Sequence, residues 1–247
     1  MMPSLSIVVP ARNEEKYIDL VVEKILALSL PFKYEVVFIE GHSTDGTLDE
    51  IKKVAENYGN KINIQYASQN GKGKADAVWK GFDMAKNEVL VILDADLTVA
   101  PEDLPKFYNA AVISPDIMVN GTRMTLPMEK GAMRFFNKLG NIFFAAFLSI
   151  VVKRKLTDTL CGTKVLYKNH FEKIKKAGLV EKLDDPFCDF TLLLGASYLG
   201  LRIVEVSVKY RKRIYGSTKI RRFKDGWKLL KIATKYLFLP KNAVDKV

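Results

Sequence analysis

Two carboxylates, Asp94 and Asp96, follow an apolar run in the segment VLVILDAD. Where a strand ends, a bend can bring side chains at positions i and i+2 onto one hard cation. Mg²⁺ or Mn²⁺ is typically held by one or two carboxylates together with substrate phosphates. No lysine lies in the same segment, so the two charges would repel each other without such a cation. The alternative is that both carboxylates only shape the turn before Pro101.

Three further polar loops follow predicted strands: PARNE at residues 10–14, EGHSTDGT at residues 40–47 and NGKGK at residues 70–74. An acid such as Glu40 can accept hydrogen bonds from a base edge or a ribose hydroxyl, and Asp45 can cap the helix that follows it. The third loop is basic and rich in glycine and opens a helix, which suits a phosphate, although it lacks the GxxxxGK[ST] pattern. Each loop alone is weak evidence for a binding site. Four such loops at the ends of successive strands are a strong combination, which suits a ligand with a base or ribose and a phosphate.

The residues between these loops indicate short strands that alternate with helices. Apolar runs rich in Val and Ile predict strands at residues 5–9, 35–39, 62–66 and 89–93, and apolar residues at helical spacing predict helices at residues 14–29, 47–58 and 74–86. This alternation is typical of a mostly parallel sheet in an α/β fold, whose ligands bind beyond the carboxyl ends of the strands. Downstream, the pattern predicts a loop entering a helix at 124–137, an apolar stretch at 139–152, strands at 164–167 and 203–210, and helices at 187–199 and 224–238.

Composition and charge narrow the class of protein. The 247 residues are 48% hydrophobic and 27% charged, which excludes disorder, collagen-like repeats and a disulfide scaffold. The net charge is +11, and residues 209–231 hold ten Lys or Arg and one Asp. Such a cluster suits a phosphate-bearing ligand: a nucleotide, a lipid head group or a nucleic acid. A nucleic-acid-binding module is the weaker interpretation, because no recognition helix or aromatic stacking motif accompanies the cluster. A nucleotidyltransferase would need a glycine-rich basic loop near residue 10, which is absent.

The apolar run at residues 142–152 is about half the roughly 20 residues that a spanning helix requires. The last predicted helix interleaves Trp227, Leu230 and Leu237 with lysines, which suits either an anionic membrane surface or packing on its own domain. Both alternatives stay open for that helix. The run at 139–152 similarly fits core packing or a hydrophobic lip for a lipid chain.

The sequence resembles the family 2 inverting glycosyltransferases of the GT-A fold, and within them the branch of dolichyl-phosphate mannose synthases and polyprenyl-phosphate glycosyltransferases. The resemblance extends over residues 6–230 and rests on VVPARNEE at 8–15, EGHSTDGT at 40–47, GKGKADA at 71–77, LDADLTVAPEDLPK at 93–106, GTR at 121–123, DTLCGTK at 158–164 and RIYGSTKI at 213–220. It implies one GT-A domain over residues 1–247, with a Rossmann-like, mostly parallel nucleotide-binding sheet flanked by helices. Residues 1–120 would bind the nucleotide sugar, 121–222 the acceptor, and 223–247 would form a basic amphipathic C-terminal helix and tail.

The resemblance also implies roles for individual residues. Pro10, Arg12, Glu14 and Glu40 would line the nucleoside pocket, and Asp45, Lys72 and Ala95 complete the predicted donor set. Asp94 would lie near the ribose or the metal, and Asp96 would ligate a Mg²⁺ or Mn²⁺ ion bridging the diphosphate. Arg213 and Lys219 would close over that diphosphate, while Arg123 and Arg134 would hold an acceptor phosphate. Three departures from the family pattern are Glu40-Gly41-His42-Ser43 for Asp-Asp-Gly-Ser, Thr98 for Gln and Thr218 for Ser.

The expected reaction is a single displacement at the anomeric carbon of the donor sugar. A lipid phosphate is already ionised near pH 7 and attacks without a base, whereas a sugar hydroxyl of a lipid-linked glycan or polysaccharide needs one. For a hydroxyl acceptor, Asp189 is the candidate base and Asp185 the second choice, although Asp189 could equally be a charge at a helix N-terminus. The predicted setting is peripheral, on the cytoplasmic face of a membrane, with or without a separate membrane-anchoring protein and without nucleic acid.

Overall fold

A computed structural model describes residues 2–216 and 222–239 of the chain. Within these residues, one sheet is formed by β1 (Leu5–Ala11), β2 (Tyr34–Glu40), β3 (Asn63–Ser68), β4 (Val89–Ile92), β5 (Ile117–Thr122), β6 (Lys164–Tyr167) and β7 (Arg202–Ser207). The strand order is β3-β2-β1-β4-β6-β5-β7. All pairings are parallel except those of β6, which runs antiparallel to β4 and β5.

Strand direction determines which loops meet at one edge of the sheet. In the parallel pairing of β1 with β2, Ala11 lies opposite Glu40, so the loops that follow these two strands start side by side. Because β6 runs the other way, its first residue, Lys164, lies near the carboxyl end of β4. The loop that precedes β6 therefore reaches the same edge as the loops that follow the parallel strands.

The helices of the described residues are α1 (Glu15–Ala27), α2 (Thr47–Tyr58), α3 (Lys74–Met84), α4 (Leu104–Val112), α5 (Phe135–Val151), α6 (Lys168–Lys176), α7 (Leu179–Leu183), α8 (Asp189–Tyr198) and α9 (Arg222–Leu237). One face of the sheet packs against α1, α2 and α4, and the other against α3 and α5 to α9. Successive side chains of a strand point to opposite faces, so Val8 of β1 enters one core while Ile7 and Val9 enter the other. The result is a three-layer α/β structure.

Close packing of α3 on the sheet depends on Gly81. A Cβ atom there would lie 2.3 Å from Cγ1 of Val8. Without that Cβ, α3 can approach β1 closely enough to hold its first turn, which begins at Lys74, beside the end of β4.

The structure confirms the predicted alternation and adds elements that the pattern did not reveal. Helix Thr47–Tyr58 and strand Lys164–Tyr167 have the predicted limits. Helix α5 begins earlier than the apolar stretch predicted, and β5, α4, α6 and α7 were not predicted. The predicted boundary near residue 120 falls inside β5, so the nucleotide and acceptor halves share one sheet. In the described part of the chain, no helix has both the length and the apolar character needed to cross a membrane.

Candidate active site

A cavity of about 970 Å³ opens at the carboxyl ends of the parallel strands. Its walls come from the loops after β1 to β5 and after β7, from the loops before β6 and α8, and from α5 and α9. Eight Lys or Arg residues line it against five Asp or Glu residues. A concave site with an excess of cations suits a ligand that carries phosphate groups.

Most of the site residues predicted from the sequence line this cavity. Pro10, Arg12, Glu14, Lys72, Asp94, Ala95, Asp96, Arg123, Arg134, Asp189 and Arg213 line it. Glu40, Asp45 and Asp185 are not among the lining residues. Lys219 lies outside the described residues.

The first carboxylate of the pair, Asp94, is neutralised by a lysine from another segment. Lys74, the first residue of α3, places its Nζ 2.5 Å from Oδ1 of Asp94. Burial alone would lower the pKa of Lys74, but the carboxylates of Asp94 and Asp189 together outweigh it and raise that pKa above its usual value. Repulsion between Asp94 and Asp96 is thus relieved within the protein, which corrects the expectation, based on one segment, that only a bound metal could do so.

Gly162, in the loop before β6, makes room for this ion pair. A Cβ atom at Gly162 would lie 2.2 Å from Oδ2 of Asp94 and 2.3 Å from Nζ of Lys74. Both distances are far below ordinary van der Waals contact, so a side chain at this position would displace the pair. A loop of the predicted acceptor half thus lies directly against the Asp94–Lys74 pair of the predicted donor half.

The second carboxylate, Asp96, is held by Thr98 and faces Arg213. The Thr98 hydroxyl donates to Oδ1 of Asp96 at 2.7 Å, and the Thr98 backbone N–H donates to the same atom at 3.1 Å. Oδ2 of Asp96 lies 3.8 Å from a terminal nitrogen of Arg213. Thr98 stands where the family pattern has Gln, and here its hydroxyl orients Asp96.

The donor atoms of this site fit a divalent cation that is shared with a substrate. Within the described residues, no cluster of three or more His, Cys, Asp or Glu side chains could hold a metal. The cavity instead offers two carboxylates, Asp94 and Asp96, on one loop. One or two carboxylates completed by phosphate oxygens are the usual ligands of Mg²⁺.

The loop after β2 is held by hydrogen bonds within itself, to the end of β3 and to the start of α1. The backbone N–H of Ser43 and the hydroxyl of Ser68 both donate to the carboxylate of Glu40. Although burial alone would raise the pKa of Glu40, these hydrogen bonds hold it below its usual value. Asp45 similarly accepts from the backbone of Thr47 and of Glu15. In the structure, Glu40 and Asp45 thus shape the loops, while Arg12 and Glu14 line the cavity.

The loop between β3 and α3 is attached to the loop before α8. Gly73 has a φ of +94°, a conformation that L side chains rarely adopt. Two residues later, the backbone N–H of Ala75 donates to the carbonyl of Pro186 at 3.1 Å. This connection holds Lys72 and Lys74 beside the predicted acceptor half.

In the predicted acceptor half, Arg123 forms a two-pronged ion pair with Asp158. Its Nε lies 2.7 Å from Oδ2 and its Nη2 lies 2.9 Å from Oδ1 of a carboxylate that is fully buried. Asn141 of α5 donates to the same carboxylate at 2.8 Å. The guanidinium carbon of Arg123 also lies 5.0 Å from the ring centroid of Tyr210. Arg134, which immediately precedes α5, lines the cavity on the same side.

The two acids near the start of α8 occupy different environments. Asp189 lines the cavity, and its Oδ1 lies 2.7 Å from Nζ of the buried Lys164. Asp185 accepts hydrogen bonds from the backbone N–H groups of Phe190 and Thr191, at 2.8 and 3.0 Å, and so holds the first turn of α8. Burial and the nearby Asp189 charge raise the pKa of Asp185 to about 6.

The contacts of Lys74, Gly162 and Lys164 in the cavity were not predicted from the sequence. Lys74 had one usable signal, because it closes the basic NGKGK loop at the start of a predicted helix. Gly162 and Lys164 lie in the DTLCGTK motif at residues 158–164, but their contacts depend on the antiparallel direction of β6, which brings them to the cavity edge.

The chain matches one protein family, and its curated relatives include two that are named as transferases of sugars to polyprenyl phosphates. The sequence pattern of the family described as Glycosyl transferase family 2 matches residues 6–174. An undecaprenyl-phosphate 4-deoxy-4-formamido-L-arabinose transferase of Photorhabdus laumondii is 25% identical over 218 residues, which cover 87% of this chain and 62% of the relative. A dolichol-phosphate mannosyltransferase of Pyrococcus furiosus is 25% identical over 219 residues, covering 88% of this chain and 59% of the relative. The chain thus spans about three fifths of the length of these curated relatives.

Among solved structures, glucosyl-3-phosphoglycerate synthase of Mycobacterium tuberculosis, in complex with Mn²⁺, UDP and phosphoglyceric acid, superposes with a TM-score of 0.66. The two sequences are 17% identical, and the match covers 96% of this chain and 80% of that one. The same synthase has been solved with Mg²⁺ and UDP. This likeness confirms the predicted GT-A fold.

Proposed function

This chain belongs to glycosyl transferase family 2, and from that premise we propose that it transfers a sugar from a nucleotide-sugar donor to a polyprenyl phosphate at a membrane surface. One observation carries the proposal. A single cavity joins the Asp94–Asp96 loop to Arg134 and to α5, whose outer face is apolar and exposed. The names of the two curated relatives, which act on undecaprenyl phosphate and dolichol phosphate, support the same class of acceptor.

On the donor side, the loops after β1 and β3 would bind a nucleotide sugar of the GDP-mannose or UDP-glucose type. Asp96 and Asp94 would hold Mg²⁺ or Mn²⁺, which would neutralise charge on the donor diphosphate when bound. Arg213, 3.8 Å from Asp96, would lie over that diphosphate and stabilise the negative charge that develops as it leaves. Lys219 is proposed for the same role.

On the acceptor side, Arg123 and Arg134 would hold the lipid phosphate. A phosphate oxygen would form a bond to the anomeric carbon of the sugar while the bond from that carbon to the diphosphate oxygen breaks. The electron pair of the broken bond leaves with the nucleoside diphosphate, and the configuration at the anomeric carbon inverts. Because the phosphate is already ionised near pH 7, this reaction takes no proton from the acceptor.

The exposed face of α5 supports a lipid acceptor. Phe135 and Phe143 are 69% and 56% exposed, and Phe136, Leu139 and Ile142 continue the same stripe. Helix α9 packs beside α5 and adds an exposed Trp227, with Lys231 5.7 Å from its ring centroid. An apolar stripe flanked by lysines suits the boundary between head groups and acyl chains of an anionic membrane. We place this surface on the cytoplasmic face, where reducing conditions fit the two free cysteines, Cys161 and Cys188.

A labelled transfer assay tests the proposal. Purified protein is mixed with GDP-mannose, UDP-glucose or related donors, Mg²⁺ or Mn²⁺, and a short polyprenyl phosphate, and label is counted in the organic phase. We expect transfer by the wild type, loss of transfer in Asp96→Asn, and full transfer in Asp116→Asn, which makes the same chemical change at a surface ion pair with Arg202. Release of nucleotide without label in the organic phase would contradict the proposed acceptor.

Arg134 provides a separate test of the acceptor site. We expect Arg134→Gln to raise the KM for polyprenyl phosphate by about tenfold or more, because a charge-assisted hydrogen bond is lost, and to leave the KM for the donor unchanged. Arg202→Gln is the matched control. An equal rise in the donor KM would remove Arg134 from the acceptor site.

A second candidate function keeps the donor and changes the acceptor to a sugar hydroxyl of a lipid-linked glycan or polysaccharide. It is favoured by the position of Asp189, an acid on the acceptor side of the cavity that could act as general base. The ion pair with Lys164 weighs against it, because the ammonium group already engages the carboxylate. Transfer of label to a glycan acceptor, with none to polyprenyl phosphate, would establish this alternative.

A further inference from the structure

The segment Arg211 to Gly216 has neither helix nor strand, yet it is attached at several points as it crosses the donor side of the cavity. The Arg211 backbone N–H donates to the carbonyl of Thr98 at 2.9 Å, and the Lys212 backbone N–H donates to the carboxylate of Glu129 at 2.8 Å. Arg213 pairs with Glu14 and approaches Asp96. We call residues 211–216 the crossing segment.

The last attachment of the crossing segment is made by Tyr17, in the first turn of α1. Its hydroxyl accepts a hydrogen bond from the backbone N–H of Tyr215 at 2.6 Å and donates one to the carbonyl of the same residue at 3.2 Å. A phenol hydroxyl has one proton to donate and lone pairs to accept with, so both contacts can form together. One side chain thus satisfies both backbone polar groups of Tyr215.

We call the two hydrogen bonds between the Tyr17 hydroxyl and the Tyr215 backbone the clamp. Ring contacts around the clamp also hold the crossing segment against α1. Tyr17 and Tyr215 pack edge to face, with ring centroids 5.3 Å apart and an angle of 71° between the rings. The guanidinium carbon of Arg213 lies 5.9 Å from the Tyr17 ring centroid, and Nζ of Lys16 lies 5.1 Å from that of Tyr215. Tyr17 is only 1% exposed, so its hydroxyl is aimed at the segment from inside the fold.

Tyr17 also follows closely after the loop that carries Arg12 and Glu14. Its backbone N–H donates to the carbonyl of Glu14 at 2.8 Å, and its hydroxyl binds Tyr215, so Tyr17 links the loop proposed to bind the nucleoside to the segment proposed to bind the diphosphate. We propose that Tyr17 is a positioning residue that fixes the crossing segment, and through it Arg213, over the donor site; this inference rests on the proposed function. The next predicted diphosphate ligand, Lys219, follows Tyr215 by four residues in the sequence.

The test is Tyr17→Phe, which removes the hydroxyl and keeps the ring. Tyr58→Phe is the matched control, because the Tyr58 hydroxyl makes one hydrogen bond, to Asp19 at 3.1 Å, away from the cavity. Trypsin cleavage after Arg211 and Arg213 is followed by mass spectrometry, with and without GDP or UDP and Mg²⁺. With two hydrogen bonds lost, we expect cleavage of Tyr17→Phe to be about tenfold faster than that of wild type, and Tyr58→Phe to match wild type.

Donor kinetics give the second readout. We expect Tyr17→Phe to raise the donor KM several-fold more than the acceptor KM. We expect the melting temperature of Tyr17→Phe to equal that of Tyr58→Phe. Cleavage and donor KM unchanged from wild type, or changed equally in both variants, would overturn the role of Tyr17. Because cleavage is measured without acceptor or turnover, the clamp is tested even if no polyprenyl phosphate is glycosylated, and the proposed function fails separately if the wild type transfers no label.

Discussion

Lys74 and Asp94 form an ion pair, 2.5 Å from Nζ to Oδ1, between the first residue of α3 and the loop after β4. The pair joins the basic loop that suits a phosphate to the carboxylate loop that suits a divalent cation. A positive charge is therefore fixed within reach of the same carboxylates that would hold the metal. Such a preorganised arrangement needs little rearrangement when a diphosphate arrives.

The first prediction concerns Gly162, which leaves space for this pair. We expect Gly162→Ala to lower kcat/KM for the donor by about a hundredfold, because the new Cβ would clash with Asp94 at 2.2 Å and with Lys74 at 2.3 Å and so displace the ion pair. Steady-state transfer and binding of GDP or UDP measure the effect. Gly140→Ala, on α5, adds the same atom where nothing lies within 4 Å, and it should retain donor binding. Equal activity of the two variants would contradict a steric role for Gly162.

The second prediction concerns the pH dependence of stability. Burial raises the pKa of Asp185 from 3.8 to about 6. Between these values the folded state keeps a proton that the unfolded state has lost, so the free energy of unfolding falls as pH rises from about 4 to 6. Asp185→Asn retains an oxygen that accepts from the Phe190 and Thr191 backbone and has no such titration.

We therefore expect Asp185→Asn to gain stability relative to wild type as pH rises from 4 to 7, by on the order of 3 kcal/mol at most. Urea unfolding at pH 4, 5, 6 and 7 measures it. Asp103→Asn, at an ion pair between a largely buried carboxylate and the exposed Lys106, makes the same chemical change outside α8. A stability difference that stays constant with pH would show that Asp185 titrates normally.

The third prediction separates the structural role of Asp189 from a catalytic one. Removing one partner of a buried ion pair typically costs about 3–5 kcal/mol, because the other charge stays buried. We expect Asp189→Asn to be destabilised by this amount through Lys164, and Lys164→Met/Asp189→Asn to recover part of it, as measured by urea unfolding. If the acceptor is a phosphate, the double variant should transfer within about tenfold of wild type. A general base would instead cost about 10² to 10⁴ in rate.

The sequence predicted which residues lie at the edge of the sheet better than it predicted which side chains pair with each other there. Strand runs, with polar loops after them, placed Arg12, Lys72 and Asp96 at one edge, because parallel strands end together. The pairing of Lys164 with Asp189 and that of Asp158 with Arg123 could not be predicted in the same way. Lys164 and Asp158 lie in segments whose position depends on β6 running antiparallel, and a four-residue apolar strand carries no signal of direction. The buried Lys164, in particular, looks like a surface residue in the sequence.

The last prediction concerns the exposed stripe on α5. If this stripe enters a membrane, each phenylalanine transferred from water would contribute about 1.5–3 kcal/mol. We expect Phe135→Ser/Phe143→Ser to bind vesicles containing anionic lipid at least tenfold more weakly than wild type in a sedimentation assay. The binding that remains should fall with added salt, because it would depend on lysines such as Lys228 and Lys231. Ile113→Ser removes an equally exposed apolar side chain, 77% exposed, at the end of α4, and should bind like wild type. Equal binding by the double variant and wild type would move the membrane contact away from α5, to a surface outside this stripe or to a separate anchoring protein.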